Sequence, residues 1–186
     1  MNKKQLDKTS KFISLILRHK PEVMGIKLDN HGWAKVSDLL SGLHNSGYDI
    51  SLSDLEYIVQ TDNKQRYSFD ENKEYIRANQ GHSIDVDVEL EEKQPPDVLY
   101  HGTSTRSAQS IKVDGIKHMS RLYVHLSQCY KIAENVGSRH GEPVVLTIDT
   151  KRMYNDGIKF YLSKNGVWLT EYVDTKYIKE GIWRSY

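Results

Sequence analysis

The chain has 186 residues, with 26 Lys and Arg against 25 Asp and Glu, and 38% of its residues are hydrophobic. This length and apolar fraction indicate a globular protein of one large domain or two small ones, and they exclude a disordered chain. A single cysteine, Cys129, excludes an internal disulfide, a zinc ribbon and a CxxC redox motif, so we expect a protein of the reducing cytoplasm.

The start of the chain predicts a helix followed by a small hairpin. Residues at helical spacing are Leu6, Ser10, Ile13 and Leu17. The helix must end near Pro21. Its apolar run FISLIL is far shorter than the ~18 residues of a membrane span, so we expect neither a transmembrane helix nor a signal peptide. The runs IKL and WAKV, separated by DNHG, then indicate a hairpin.

Two further helices and a second hairpin complete the first half. Ser37 is a candidate N-cap for a helix over DLLSGLHN, and Ser53 with Glu56 forms a candidate capping box before LEYIVQ. The runs RYSF and YIRA, joined by DENK, predict the hairpin. Helices followed by a two-stranded wing are the order of a winged-helix module. That fold is used on nucleic acid and also for protein contacts alone, and the order of elements leaves both uses open.

Acidic residues are concentrated in one stretch near the middle of the chain. Residues 1–83 carry 12 basic and 11 acidic side chains, residues 84–97 carry one and six, and residues 98–186 carry 13 and eight. The stretch IDVDVELEEKQPPD contains a Pro-Pro pair and separates two segments of similar length, which is typical of a connection between domains. Its alternating apolar residues also favour a strand in part of it. We therefore predict domains over 1–83 and 98–186, joined by 84–97.

Short strands dominate the prediction for the second half. The runs VLYHGT, LYVHLS, PVVLTID, IKFYL and VWLTEYV are strand-like, and Asn165-Gly166 predicts a tight turn between the last two. Helices are predicted over SAQSIKVDG and QCYKIAENVGSRHG, the second with Ser127 as its N-cap. This pattern indicates an α+β fold with a small, largely antiparallel sheet. The chain contains neither GxGxxG after a strand nor a P-loop motif, so the Rossmann and P-loop nucleotide sites are excluded.

Basic residues at the ends of predicted elements are candidates for anion binding. Arg18 and His19 close the first helix, Arg66 begins a strand, and Arg121 precedes LYVHL. Cations at a helix C-terminus can simply offset the helix dipole, and Arg66 alone fits a solvated wing. Arginines that converged on one anion would bind phosphate well, because a guanidinium makes paired hydrogen bonds and stays charged. The spacing leaves both interpretations open.

Two predicted strands end in histidine followed by small or hydroxyl residues. The two runs are His101-Gly102-Thr103 and His125-Leu126-Ser127. Close backbone approach and short hydroxyl donors suit the ribose hydroxyls and phosphates of a nucleotide, whereas a strand histidine can also be a partly buried structural side chain. The histidine spacing contains no HExxH pattern and no tight carboxylate cluster accompanies it, so we expect no metal site.

Six separated blocks of the sequence together carry a family resemblance. The blocks LILRHKPEVMGIKLDNHGWAKVSDLL, DNKQRYSF, IRANQGHS, LYHGTS, MSRLYVHLS and NGVWLTEYV resemble, in content and order, the KptA-type RNA 2'-phosphotransferases, which act on tRNA 2'-phosphates in eukaryotes. The resemblance extends from about residue 10 to residue 180. It is specific, since generic folds do not require a run such as IRANQGHS. It implies an N-terminal winged-helix, RNA-binding lobe joined to a C-terminal, NAD-binding lobe of ADP-ribosyltransferase type.

Site residues are also implied by the resemblance. An Arg-His-Arg-Arg tetrad is catalytic in that family, and the matching blocks place it on Arg18, His19, Arg66 and Arg121, which we expect to converge on one site. The strands that line the NAD cleft of the family match His101, Gly102, Thr103, His125 and Ser127. One departure is Tyr123, where we expect histidine in many relatives. A tyrosine can still stack and donate a hydrogen bond, so the departure affects ligand affinity more than reaction class.

The activity implied by the resemblance is that of an NAD-dependent RNA 2'-phosphotransferase that needs no metal. An internal 2'-phosphate of a tRNA-like RNA passes to NAD through an ADP-ribosylated RNA phosphate. The products are 2'-OH RNA, nicotinamide and ADP-ribose 1'',2''-cyclic phosphate. Two alternatives remain, an ADP-ribosyltransferase that caps nucleic-acid phosphates or modifies protein, and a non-catalytic winged-helix protein that binds nucleic acid. We expect a monomer that does not bind a membrane.

Overall fold

A computed structural model describes residues 3–179 of the chain. The chain divides into two units between Glu89 and Leu90, a position inside the acidic stretch 84–97. Each unit combines helices with small antiparallel sheets. The predicted α+β class is therefore confirmed.

The described part of the first unit, residues 3–89, contains three helices and a three-stranded sheet. The helices are α1 (Lys3–Arg18), α2 (Val36–Asn45) and α3 (Leu52–Thr61), with a 3-10 helix (Pro21–Met24) after α1. The strands are β1 (Ala34–Lys35), β2 (Tyr67–Phe69) and β3 (Tyr75–Ala78). They pair antiparallel in the order β1-β3-β2. The three predicted helices and the second predicted hairpin are confirmed.

The predicted hairpin between IKL and WAKV is wrong. The strand in this stretch is Ala34–Lys35, and it pairs with β3, with Ala34 opposite Ile76. The turn itself forms, because Asp29 N donates to Trp33 O at 3.0 Å. Strand β1 thus joins the later hairpin as a third strand, and a partner so distant in sequence leaves no local pattern.

Both predicted helix caps of this unit are also wrong. Helix α2 begins before Ser37, and its N-cap residue makes no side-chain hydrogen bond. The capping box of α3 is formed by Ser51 and Asp54. The predicted pair, Ser53 and Glu56, has the same serine-to-acid spacing, so local sequence does not distinguish the two positions.

The core of the first unit fixes strand β2 against helix α1. Fully or almost fully buried side chains from the helices and the sheet include Ile13, Ile16, Leu17, Leu39, Leu43, Leu55, Ile58 and Ile76. Tyr67, at the start of β2, is buried with them, and its hydroxyl lies 2.8 Å from Ser14 Oγ on α1. The residue directly before it, Arg66, is therefore on a loop whose end is anchored to α1.

Between residues 90 and 179, the second unit has eight short strands and three helices. The strands are β4 (Glu91–Glu92), β5 (Val98–Ser104), β6 (Ile116–Lys117), β7 (Val124–Leu126), β8 (Pro143–Asp149), β9 (Tyr161–Leu162), β10 (Trp168–Thr170) and β11 (Tyr172–Val173). The helices are α4 (Thr105–Asp114), α5 (Tyr130–Gly137) and α6 (Thr150–Asn155), with 3-10 helices Ser138–His140 and Thr175–Tyr177. The strands pair antiparallel as β4-β9-β10-β7, β5-β8 and β6-β11.

Main-chain hydrogen bonds join β5 to the residue that follows β7. Tyr100 N donates to Ser127 O, and Ser127 N donates to Tyr100 O, each at 2.8 Å. The predicted turn at Asn165-Gly166 is confirmed, since β9 and β10 pair on either side of it. The predicted cap at Ser127 is wrong, because the N-cap of α5 is Cys129 and it makes no side-chain cap.

The first residues of the acidic stretch 84–97 belong to the structure of the first unit, and later ones belong to that of the second. Asp87 N donates to Asn30 O at 2.9 Å, and Glu89 pairs with buried Arg77 at 2.9 Å, both within the first unit. Strand β4 pairs with β9 in the second unit. The strand in this stretch is therefore Glu91–Glu92, beyond the alternating apolar run.

Helix α5 packs very closely on β5 at Gly102, because glycine has no side chain. A Cβ added at Gly102 would lie 1.7 Å from the Ala133 carbonyl oxygen, and one at Gly137 would lie 2.4 Å from Thr103 O. These two glycines let the helix backbone touch the strand backbone. Packing alone therefore explains why position 102 is glycine.

Gly102→Ala is expected to lower the free energy of unfolding of the second unit by more than about 3 kcal/mol, because the α5 backbone would have to move. Gly47→Ala is the control. Gly47 has a φ of 80° and open space around it, so alanine should cost only about 1–2 kcal/mol of backbone strain. Urea denaturation followed by circular dichroism measures both variants, and equal small losses would contradict the close packing.

Candidate active site

Arg18 and His19 lie at the C-terminal end of α1, against the segment 79–83 that follows β3. Ser83 N donates to Arg18 O at 3.0 Å, and Ser83 Oγ lies 2.9 Å from His19 Nδ1. Gly81, with a φ of 89°, passes beside the Arg18 guanidinium, and a Cβ added to it would lie 3.7 Å from Arg18 Cζ. The end of α1 and this segment therefore form one local structure.

The opposite end of the same segment holds the loop that carries Arg66. Asn79 N donates to Arg66 O at 2.8 Å, and Asn79 Nδ2 donates to Gln65 O at 2.7 Å. Gln65 has a φ of 44°, which is uncommon for a residue with a side chain, so these bonds hold a strained turn. Asp62 accepts a hydrogen bond from Arg66 N at 2.7 Å and forms an ion pair with Arg66 Nη1. The segment thus attaches three of the four predicted catalytic residues to one structure in the first unit.

His82 is a buried histidine inside the segment. Its side chain is 2% exposed, and its Nε2 has no hydrogen-bond partner among the described residues. Its pKa is lowered to about 4, chiefly by burial and then by the positive charges of Arg18, His19 and Arg77. His82 is therefore neutral at pH 7 and adds no further positive charge beside Arg18.

The second unit places His101, Gly102 and Thr103 inside β5 and His125 inside β7, so the prediction that each strand ends at its histidine is wrong. His101 Nδ1 lies 3.0 Å from His125 O, and His125 Nδ1 lies 3.4 Å from Arg121 Nη1. Burial lowers the pKa of His101, which outweighs the raising effect of the hydrogen bond to His125, and the charge of Arg121 lowers it further. The His101 ring thus contacts the main chain of His125, whose own ring contacts Arg121, and His101 is neutral at pH 7.

Arg121 sits in an environment that favours an anion. Its pKa is lowered, first by burial and then by the positive charge of Arg139. A guanidinium remains charged despite such a shift. The residue itself remains exposed, and a bound anion would offset the repulsion from the second arginine.

Three further predicted binding residues make structural contacts of their own. Thr103 is buried, and Gly102 is in contact with α5. Ser127 Oγ accepts a hydrogen bond from Cys129 N at 3.1 Å, in the turn before α5. The Tyr123 ring lies against that of Tyr161, with 5.5 Å between their centroids. Packing and turn formation account for these small and hydroxyl residue types, and a role in ligand binding stays a prediction.

Sequence reasoning did not single out Asn79, His82 or Ser83. The available signal was the block IRANQGHS, a polar segment directly after a hairpin strand, which contributed only to the family resemblance. Asn79 contacts a residue 14 positions away in the sequence, and Ser83 contacts one 64 positions away. A local pattern does not reveal such contacts.

Between residues 3 and 179, no group of three or more His, Cys, Asp or Glu residues is placed to hold a metal ion. No helix of that range has both the length and the apolar character needed to cross a membrane.

Comparison with known proteins points to one family. The family model described as RNA 2'-phosphotransferase, Tpt1 / KptA family, matches residues 4–172. A curated protein of Fusobacterium nucleatum is 53% identical over 92% of this chain and 97% of its own length. One of Flavobacterium johnsoniae is 47% identical over 96% and 98%, and one of Hahella chejuensis is 48% identical over 94% of each chain. Each of the three is named "Probable RNA 2'-phosphotransferase".

Burial of His82 predicts a loss of stability in mild acid. Because the pKa of His82 falls to about 4 on folding, the unfolded chain binds a proton between that pH and the ordinary value of 6.5, and the folded chain does not. Stability therefore falls as the pH decreases through this range, by up to about 3 kcal/mol from this residue. His101, whose pKa is also lowered, contributes a loss of the same sign.

The measurement is urea denaturation at about pH 7.5 and about pH 5. His82→Gln should lose less free energy of unfolding between these two pH values than the wild type does. His44→Gln replaces an exposed histidine and should behave like the wild type. Equal losses in all three proteins would contradict a buried, neutral His82.

Proposed function

Because the chain belongs to the Tpt1 / KptA family of RNA 2'-phosphotransferases, we propose that it removes an internal 2'-phosphate from a tRNA-like RNA by transferring it to NAD as co-substrate. The observation that carries the proposal is the attachment of Arg18, His19 and Arg66 to the segment 79–83. Guanidinium groups bind a phosphate dianion through charge-assisted hydrogen bonds, and a histidine beside them can move a proton.

The first step is an attack on NAD. An oxygen of the RNA 2'-phosphate forms a bond to C1'' of the nicotinamide ribose, the bond from C1'' to the nicotinamide nitrogen breaks, and nicotinamide leaves. The phosphate is anionic at pH 7, so this step needs no base. It does need cations that hold the phosphate against the ribose.

The second step takes place at phosphorus. The ribose O2'' attacks the phosphorus and loses its proton, while the bond from phosphorus to the RNA O2' breaks and that oxygen gains a proton. The products are 2'-OH RNA and ADP-ribose 1'',2''-cyclic phosphate. Charge builds on the nonbridging oxygens, which arginines stabilise, and His19 is suited to the proton transfer.

We assign RNA binding to the first unit, as a winged helix. The support is topological: the element order α1-β1-α2-α3-β2-β3 and the sheet order β1-β3-β2 are those expected of a winged helix with its wing at the end. The polar segment that carries the contacts to Arg18 and Arg66 begins directly after this wing. RNA bound to this unit could therefore present its phosphate to these arginines.

We assign NAD binding to the second unit, as an ADP-ribosyltransferase-like lobe. The support is a pair of contacts, from the His101 ring on β5 to the His125 carbonyl on β7 and from the His125 ring to Arg121. Main-chain hydrogen bonds between Tyr100 and Ser127 hold β5 beside the residue that follows β7. Gly102 and Thr103 follow His101 on β5, and Ser127 directly follows β7. In this proposal Arg121 acts on the same phosphate as Arg18, His19 and Arg66.

The test is incubation with an oligonucleotide that carries one internal 2'-phosphate, with and without NAD. The proposal predicts NAD-dependent formation of 2'-OH RNA, nicotinamide and ADP-ribose 1'',2''-cyclic phosphate. The same oligonucleotide with its phosphate at the 3' end is the control substrate. Reaction that ends at ADP-ribosylated RNA would indicate an ADP-ribosyltransferase, and binding without an NAD-dependent product would indicate a nucleic-acid-binding protein; either result contradicts the proposal.

Arg66→Ala is expected to slow the second step more than the first, by roughly 10²–10³-fold, because only the second step passes through a five-coordinate phosphorus with extra oxygen charge. RNA-2'-phospho-ADP-ribose should then accumulate. Arg66→Lys should accumulate it in part, since an ammonium group cannot reproduce the paired contacts of a guanidinium.

A time course on radiolabelled 2'-phosphorylated RNA, resolved into substrate, intermediate and product, measures both steps. Arg152→Ala is the control, since it removes an exposed arginine that contacts Tyr177 and the Lys176 carbonyl, and both steps should be unchanged. Slower loss of substrate in Arg66→Ala without any visible intermediate would show that Arg66 acts in binding or in the first step.

A further inference from the structure

We propose that Ser83 is a positioning residue for His19. Its hydroxyl holds Nδ1 of the imidazole, so that the ring nitrogen that exchanges a proton with the substrate is Nε2. This inference rests on the proposed function, in which His19 transfers the proton of the second step.

The main chain fixes Ser83 independently of its side chain. Ser83 N donates to Arg18 O at 3.0 Å, which places the serine beside the last turn of α1. The preceding residue, His82, is buried, and Gly81 before it has the positive φ that turns the chain next to Arg18. Ser83 Oγ is thereby held 2.9 Å from His19 Nδ1, an ordinary hydrogen-bond distance.

A hydroxyl suits a histidine that changes its protonation state. While Nε2 gains and loses its proton, Nδ1 keeps its own, so the hydroxyl accepts from Nδ1 in both states and the ring keeps its orientation. A carboxylate in this place would also accept, but its negative charge would favour the imidazolium. The hydroxyl therefore orients the ring without stabilising one charge state of it.

The neutrality of Ser83 also matters for the substrate. The charged and titratable groups that act on the neighbouring His82 are Arg18, His19 and Arg77. A phosphate dianion is attracted by the guanidinium groups, and a carboxylate in the same segment would repel it. Serine orients the imidazole and leaves the positive potential of the segment intact.

Substitution of Ser83 tests this role without unfolding the unit. The side chain is exposed, so its loss leaves no cavity, and the main-chain bond to Arg18 does not depend on the side chain. Ser83→Ala is expected to lower kcat on 2'-phosphorylated RNA roughly 3- to 10-fold, the worth of one neutral hydrogen bond. KM for RNA and for NAD should change by less than about two-fold.

Two variants serve as controls for the kinetic effect. Ser83→Thr keeps the hydroxyl and should restore most of the wild-type kcat. Ser37→Ala removes an exposed hydroxyl on α2 and should leave kcat unchanged. A Ser83→Ala variant with wild-type kcat, or a Ser83→Thr variant as slow as Ser83→Ala, would overturn the proposal.

Nitrogen NMR of the full chain with isotope-labelled histidine gives a readout that needs no turnover. The ring-nitrogen shifts of His19, assigned by comparison with His19→Ala, report its tautomer and hydrogen bonding. Ser83→Ala should change these shifts, whereas Ser83→Thr should keep them. Identical shifts in Ser83→Ala and the wild type would overturn the role of Ser83. A wild-type protein that is inactive on RNA would contradict the proposed function, and the NMR comparison would still decide whether Ser83 holds His19.

Discussion

Two main-chain hydrogen bonds at opposite ends of the segment 79–83 hold the proposed catalytic residues of the first unit. Asn79 N donates to Arg66 O, and Ser83 N donates to Arg18 O, so one short piece of backbone fixes both the end of α1 and the start of β2. Long basic side chains lose conformational entropy when they are ordered around a ligand, and a backbone already in place reduces that cost. In the proposed function, the positions from which these arginines would reach a phosphate are therefore set before the substrate binds.

Electrostatics explains how cations can be grouped in this way. Like charges that are close together and partly removed from water repel one another, so each group must be compensated or neutral. Arg66 is paired with Asp62, and His82 is neutral at pH 7 because its pKa lies at about 4. In the second unit, burial and the charge of Arg139 lower the pKa of Arg121. A phosphate dianion would relieve this repulsion, which is the physical reason to expect an anionic substrate.

The predicted helix caps were wrong although they are local features. Other features that depend on neighbours in the chain were predicted from sequence. Helix α1, the hairpin β2–β3 and the turn at Asn165-Gly166 are of this kind, since apolar spacing and turn residues specify them locally. The pairing of β1 with β3, the packing of α5 on Gly102 and the contacts of Asn79 and Ser83 join distant parts of the chain and were not predicted. The proposed catalytic residues came from a family resemblance, and their spacing alone did not distinguish a phosphate site from ordinary helix ends.

A crystal structure of the protein with a 2'-phosphorylated oligonucleotide bound would test whether one phosphate unites the four proposed catalytic residues. We predict that the 2'-phosphate lies within hydrogen-bond distance of Arg18, Arg66 and Arg121, with His19 directed towards it through Nε2 and held at Nδ1 by Ser83. A phosphate contacted by residues of one unit only, or bound away from the segment 79–83, would contradict this assignment.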